Sequence, residues 1–127
     1  MSGHILIVED DPDIQDALRE LLEMEGYRVA TAANGKEALK QLEAGIPAPE
    51  KTPQLILLDL MMPIMDGIQF RSAQRADARL SSIPVVLMSA DSQADKKLKD
   101  ADLAEYLKKP LDLDRVLSTV KRFCQMA

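Results

Sequence analysis

The chain has 127 residues, 46% of them apolar and 29% charged, enough for one domain with a real core. A net charge of −5 argues against a nucleic-acid-binding surface, and the lone Cys124 excludes an internal disulfide and suits a reducing compartment. No apolar run approaches the ~20 residues a membrane span needs, and the start, Met1 to His4, lacks a basic region and a long apolar stretch. No signal peptide is therefore expected, and the cytoplasm is the expected location.

His4 to Val8 is a β-branched apolar run closed by Glu9, Asp10 and Asp11. It reads as a strand, with His4 a surface residue just before it rather than a ligand. Pro12 suits the first turn of a helix capped by Asp11. Ile14, Ala17, Leu18, Leu21 and Leu22 then recur at three- and four-residue steps, which predicts one apolar helical face. Gly26 is a helix C-terminal signal. Tyr27 to Ala32 predicts a second, more polar strand near a sheet edge. Asn34-Gly35 punctuates, and Lys36 to Ala44 predicts a helix facing inward through Ala38, Leu39 and Leu42.

Residues 45–54 carry Pro47, Pro49 and Pro53 and predict a surface loop. Leu55 to Asp59 is an unalternating apolar run ending in one carboxylate, the pattern of a strand buried on both faces. A loop with Pro63, Asp66 and Gly67 follows. Ile68, Phe70, Ala73, Ala76 and Leu80 make a weaker helical pattern. Pro84 to Ser89 is another apolar strand, ending in a hydroxyl. Residues 91–102 predict a polar helix held by few apolar anchors, hence an element able to move. Ala104 to Lys108 predicts a short strand, and Asp112 caps a last helix facing inward through Leu113, Val116, Leu117 and Val120. Cys124 near its end is expected to be a small apolar filler. Five strands alternating with five helices predict an α/β fold, a parallel sheet with helices on both faces.

In such sheets chemistry collects outside the carboxyl ends of the strands. There the chain delivers Glu9 and Asp10 from the first strand, Asp59 from the third, Ser89 from the fourth and Lys109 from the fifth. Each alone has an ordinary structural reading as a cap, a strand-end hydroxyl or a solvated ammonium. Together they make a constellation. Two carboxylates about 5 Å apart repel by roughly 3 kcal/mol at an effective dielectric of 20. A divalent ion removes that repulsion, and carboxylates without His or thiolate partners favour Mg²⁺, with Mn²⁺ as the alternative. Met61, Met62, Met65 and Met88 are better read as packing than as a soft-metal site.

Four segments carry a family resemblance: Ile5 through Glu9, Asp10, Asp11 and Pro12; Leu58-Asp59 through Pro63, Asp66 and Gly67; Val86 through Ser89 and Ala90; and Tyr106 through Lys109-Pro110. Over about residues 4 to 123 the chain resembles the receiver domain of bacterial two-component response regulators, of the chemotaxis-regulator type. The resemblance implies one receiver domain over 1–127, of (βα)5 doubly wound, flavodoxin-like architecture with strand order 2-1-3-4-5. It makes Asp59 the phosphoacceptor and assigns Mg²⁺ to Asp10, Asp59 and the Met61 backbone carbonyl, with Glu9 reaching it through water. Lys109 would pair with a phosphoryl oxygen, Ser89 would hydrogen-bond the phosphoryl group, and Tyr106 would be the aromatic switch residue. The Lys109–Pro110 bond would be cis. The implied partners are a histidine kinase or histidine phosphotransfer protein and a downstream protein or output domain. The signalling surface would be formed by residues 91–102, the strand at 104–108 and the last helix.

Some positions depart from the pattern. The acidic pair is Glu-Asp rather than Asp-Asp, Ser89 replaces the commoner Thr, and Glu105 stands where many relatives have Gly. Met61 and Asp91 hold the two positions that tune phospho-aspartate hydrolysis in the family. An apolar Met61 does not orient a water, which favours a longer-lived phosphorylated state. Competing functions fare worse. Aspartyl-phosphate hydrolases carry a second Asp two residues after the nucleophile, and here that residue is Met61. A nucleotide or flavin binder would want a Gly-rich phosphate loop after the first strand, where Glu9, Asp10 and Asp11 stand instead. An unphosphorylated scaffold would not need Asp59, Asp10 and Lys109 intact.

Overall fold

A computed structural model describes residues 3–45, 52–90 and 105–124. The expected helix over 91–102, with Asp91, and most of the proline-rich loop lie outside the described residues. The elements are β1 (His4–Val8), α1 (Pro12–Met24), β2 (Arg28–Ala32), α2 (Gly35–Gly45), β3 (Leu55–Asp59), α3 (Gly67–Ala76), β4 (Val85–Ser89), β5 (Glu105–Lys108) and α4 (Leu113–Phe123). The strands form one parallel sheet in the order β2-β1-β3-β4-β5, as the family resemblance implies.

Side chains alternate across a strand, so each central strand supplies two cores. Leu6, Val8, Ile56, Leu58, Val85 and Leu87 face α2 and α3 and pack with Ala38, Leu42 and Phe70. Ile5, Ile7, Leu55, Leu57, Val86 and Met88 face the other way, onto Leu18 and Leu22 of α1 and Val116 and Val120 of α4. This double coverage explains why β3 and β4 are buried at every position while β2, at the edge, is mostly half-exposed.

The caps follow the sequence. Asp11 accepts from the Asp13 and Ile14 amides, and Asp112 from the Asp114 and Arg115 amides. Gly26, two residues beyond α1, takes φ +91°, which suits glycine alone. Cys124 is buried at the end of α4, and burial pushes its thiol up to about 11. Three expectations need correction. His4 belongs to β1, pairs with Arg28 and is half-buried, because the ladder starts one residue earlier than the apolar run. Leu113 is 46% exposed, since it is the first residue of α4 and the buried face of that helix runs through Val116, Thr119 and Val120. In α3 the apolar pattern misleads: Ile68 and Ala76 are exposed, and the buried face is Phe70, Arg71 and Gln74.

Candidate functional site

Parallel register brings the strand ends level. Val8 lies beside Leu58, Asp59 beside Met88 and Ser89 beside Lys108. The next residues, Glu9 and Lys109, therefore emerge on either side of Asp59. Glu9, Asp59 and Ser89 are almost wholly buried, whereas Asp10 is exposed.

One ammonium joins two of the carboxylates. Lys109 Nζ donates to Glu9 Oε2 at 3.1 Å and Oε1 at 3.3 Å, and lies 3.3 Å from Asp59 Oδ1. Glu9 Oε1 also accepts the Asp11 amide at 3.2 Å. Burial, and then the charge of Glu9, push the Asp59 carboxyl up to about 6 against the pull of Lys109. Burial also raises Glu9, although Lys109 opposes it. Burial pulls Lys109 down, but its Glu9 hydrogen bond and the two carboxylate charges outweigh it and leave the ammonium strengthened. Desolvated carboxylates with one shared cation are a place of unspent negative charge.

The donor set suits a hard divalent ion. Glu9, Asp10 and Asp59 each offer an oxygen, and the three lie within 4.8 Å of one another. No histidine or thiolate joins them, so the chemistry favours Mg²⁺ over zinc. Met61 stands at the rim, 66% exposed.

The remaining site residues are tied through Ser89. Its carbonyl accepts the Lys109 amide at 2.9 Å and the Tyr106 hydroxyl at 3.2 Å. Tyr106 is half-buried and packs against the core shared with α2 and α3. The Lys109–Pro110 peptide is cis. Gln15 carries no obvious sequence signal, yet its Nε2 donates to the carbonyls of Glu9 at 3.1 Å and Ala32 at 3.4 Å. It pins the carboxyl ends of β1 and β2 together from α1. The only hint was a polar residue one turn past the Asp11 cap.

Residues 5–121 match the response regulator receiver domain. The chain belongs to that family. Among curated relatives it is 37% identical to the DNA-binding dual master transcriptional regulator RpaA of Synechocystis sp., over 92% of this chain and 47% of RpaA. It is 32% identical to Protein PilH of Pseudomonas aeruginosa, over 93% of this chain and 94% of PilH. Among solved structures, the signal receiver domain of a signal transduction histidine kinase from Syntrophus aciditrophicus aligns with a TM-score of 0.85 at 31% identity, covering 96% of this chain and 89% of that one. The chain thus spans about half the length of RpaA and of other transcriptional regulators it matches. As a receiver domain of two-component systems it is a signalling phosphoacceptor module. Among the described residues no helix is long and apolar enough to cross a membrane.

Proposed function

We infer that Asp59 is the phosphoacceptor and that residues 1–127 act as a single receiver domain. The reading rests on one observation above all: Lys109 bridges Glu9 and Asp59, carboxylates from two different strand ends. Phosphoryl transfer needs little covalent help beyond positioning and charge stabilisation. An Asp59 carboxylate oxygen attacks phosphorus, an O–P bond forms, and the bond from phosphorus to the donor nitrogen breaks with its electrons leaving on the imidazole. Lys109 sits beside the oxygen that reacts and meets a phosphoryl oxygen of the product. Ser89 supplies a hydroxyl to another.

Asp10, Asp59 and the Met61 carbonyl would hold Mg²⁺, with Glu9 as an outer ligand. When bound, the ion neutralises charge on the transferring group. Glu9 and Asp10 cannot themselves do so, because they repel the phosphoryl oxygens.

The donor is a histidine kinase or histidine phosphotransfer protein. Beside Lys109 runs an apolar groove of about 330 Å³ lined by Ile14, Ala17, Leu18, Pro110, Leu111 and Leu113, a suitable seat for such a donor. The output surface comprises residues 91–102, β5 and α4. Phosphorylation reaches it through Ser89, whose carbonyl already holds both Tyr106 and Lys109. The downstream protein or output domain binds there, and this chain binds no nucleic acid itself. An apolar, exposed Met61 orients no water, so the phosphorylated state is long-lived.

The test is incubation with acetyl phosphate, with and without Mg²⁺, followed by intact mass. One phosphoryl group should be added, only with Mg²⁺, and none in Asp59→Asn. Labelling that survives Asp59→Asn would sink the assignment.

A further inference from the structure

The loop from Leu60 to Asp66 follows Asp59 directly and carries Met61. One of its ties comes from the first residue of α3 and one lies within the loop itself. The Gly67 amide donates to the Leu60 carbonyl at 2.9 Å, and the Met65 amide to the Pro63 carbonyl at 2.7 Å, a three-residue turn around Ile64 at φ +68°. A third tie comes from α2: the Gly35 amide donates to the Met65 carbonyl at 3.1 Å. Gly35 is the first residue of its helix, where an amide has no acceptor within the helix. Asn34 Oδ1 accepts the Glu37 amide at 2.9 Å, and the Met65 carbonyl serves Gly35.

The fit at this joint is close. A Cβ on Gly35 would lie 2.8 Å from Met65 Cγ and 3.0 Å from both Met65 Sδ and the Met65 carbonyl oxygen. Real Cβ atoms essentially never approach as near as the Cγ contact, and the other two are tighter than nearly all. Met65 is half-buried against the core beneath α2 and α3, which limits where its side chain can go.

We propose that Gly35 is a positioning residue for the phosphoacceptor site: lacking a side chain, it seats the start of α2 on Met65 and so fixes the loop that presents the Met61 carbonyl. This rests on the phosphoacceptor reading of Asp59. An alanine at position 35 crowds both the Met65 side chain and its carbonyl, and any displacement of that carbonyl runs along a short, tied loop toward Met61. None of the three clustered carboxylates belongs to α2, and the Gly35–Met65 hydrogen bond is its direct tie to the loop.

The experiment uses the whole chain. Mg²⁺ affinity is read by titration of backbone amide resonances, and global stability by the urea midpoint. Gly35→Ala should bind Mg²⁺ roughly tenfold more weakly, the size of effect usual when a group supporting a ligand is disturbed. Its loop resonances should already differ before Mg²⁺ is added. Met65→Ala in the Gly35→Ala background removes the Cγ and Sδ contacts and should recover part of the affinity. Leu39→Ala, a half-buried position farther along the same helix, should lower the urea midpoint yet leave Mg²⁺ affinity unchanged. Wild-type affinity in Gly35→Ala, or an equal affinity loss in Leu39→Ala, overturns the proposal. A wild-type chain that binds Mg²⁺ but takes no label from acetyl phosphate overturns the phosphoacceptor reading instead, while the Gly35 comparison still decides the joint. Absence of Mg²⁺ binding by the wild type overturns both.

Discussion

At the residue scale, Asp59 is costly to the fold. Its carboxyl stands at about 6, against an ordinary 3.8, chiefly because it is buried and then because Glu9 lies close. Between these values the native chain holds a proton that the unfolded chain has lost. Stability contributed by that proton is complete below about pH 4 and is lost as pH rises through 6. A shift of this size corresponds to roughly 3 kcal/mol before relaxation of the site. Asp59→Asn removes the charge while keeping the shape. The variant should therefore exceed wild type by roughly 2 kcal/mol in urea unfolding at pH 7.5 without Mg²⁺, and the gap should close by pH 4. A constant gap across that range would show that the cost is not electrostatic. This residue was legible because an apolar run ending in a single acid leaves no ordinary packing role for it. The partnership of Lys109 with Glu9 was less legible: the chain order does not say which of two carboxylates an ammonium will prefer.

At the element scale, Gln74 shows how tertiary needs can hide a helix. It is fully buried in α3; its Nε2 donates to the Leu80 carbonyl at 2.9 Å and the Ile83 carbonyl at 3.0 Å, and its Oε1 accepts from Arg71 at 2.7 Å. The turn between α3 and β4 is thus held by a side chain as well as by its own backbone, in which the Ile83 amide also donates to the Leu80 carbonyl at 3.1 Å. Gln74→Leu keeps the volume but strips the Ile83 carbonyl of its side-chain donor and leaves the Leu80 carbonyl with the Ile83 amide alone, which should cost roughly 2 kcal/mol. Urea unfolding measures this. Phosphorylation by acetyl phosphate in native buffer should be retained, since α3 contributes nothing to the acidic cluster. A loss below about 1 kcal/mol would mean that water replaces the amide. Burying Arg71 and Gln74 also explains why the apolar spacing pointed to the wrong face, through Ile68 and Ala76. By contrast, β3 and β4 and the caps at Asp11 and Asp112 were plain from sequence, because burial on both faces and orphan amides leave local signatures. Strand order has no such signature. It came from the family resemblance, and the ladders agree with it. The Gly35–Met65 joint is a contact between distant segments, invisible to any local pattern.

At the scale of the whole molecule, the site and the stability of the domain are one equilibrium. The chain carries a net charge of −5, and part of that charge is concentrated where Glu9, Asp10 and Asp59 converge. An ion that binds only the folded chain stabilises it by mass action, by about 2.7 kcal/mol at one hundred times its dissociation constant. Past saturation each further tenfold of Mg²⁺ should add about 1.4 kcal/mol. The general attraction of an acidic protein for cations gives no such slope once ionic strength is held constant with NaCl, because screening alone then does not change. Asp10→Asn is the informative variant. Asp10 is exposed, so its loss should alter the Mg²⁺-free midpoint little, yet it should abolish the Mg²⁺-dependent rise. Asp59→Asn should begin from a higher midpoint and also lose the slope. If Asp10→Asn gains stability from Mg²⁺ as the wild type does, the three convergent carboxylates are not the cation site, and the charge strain at Asp59 must be relieved in some other way.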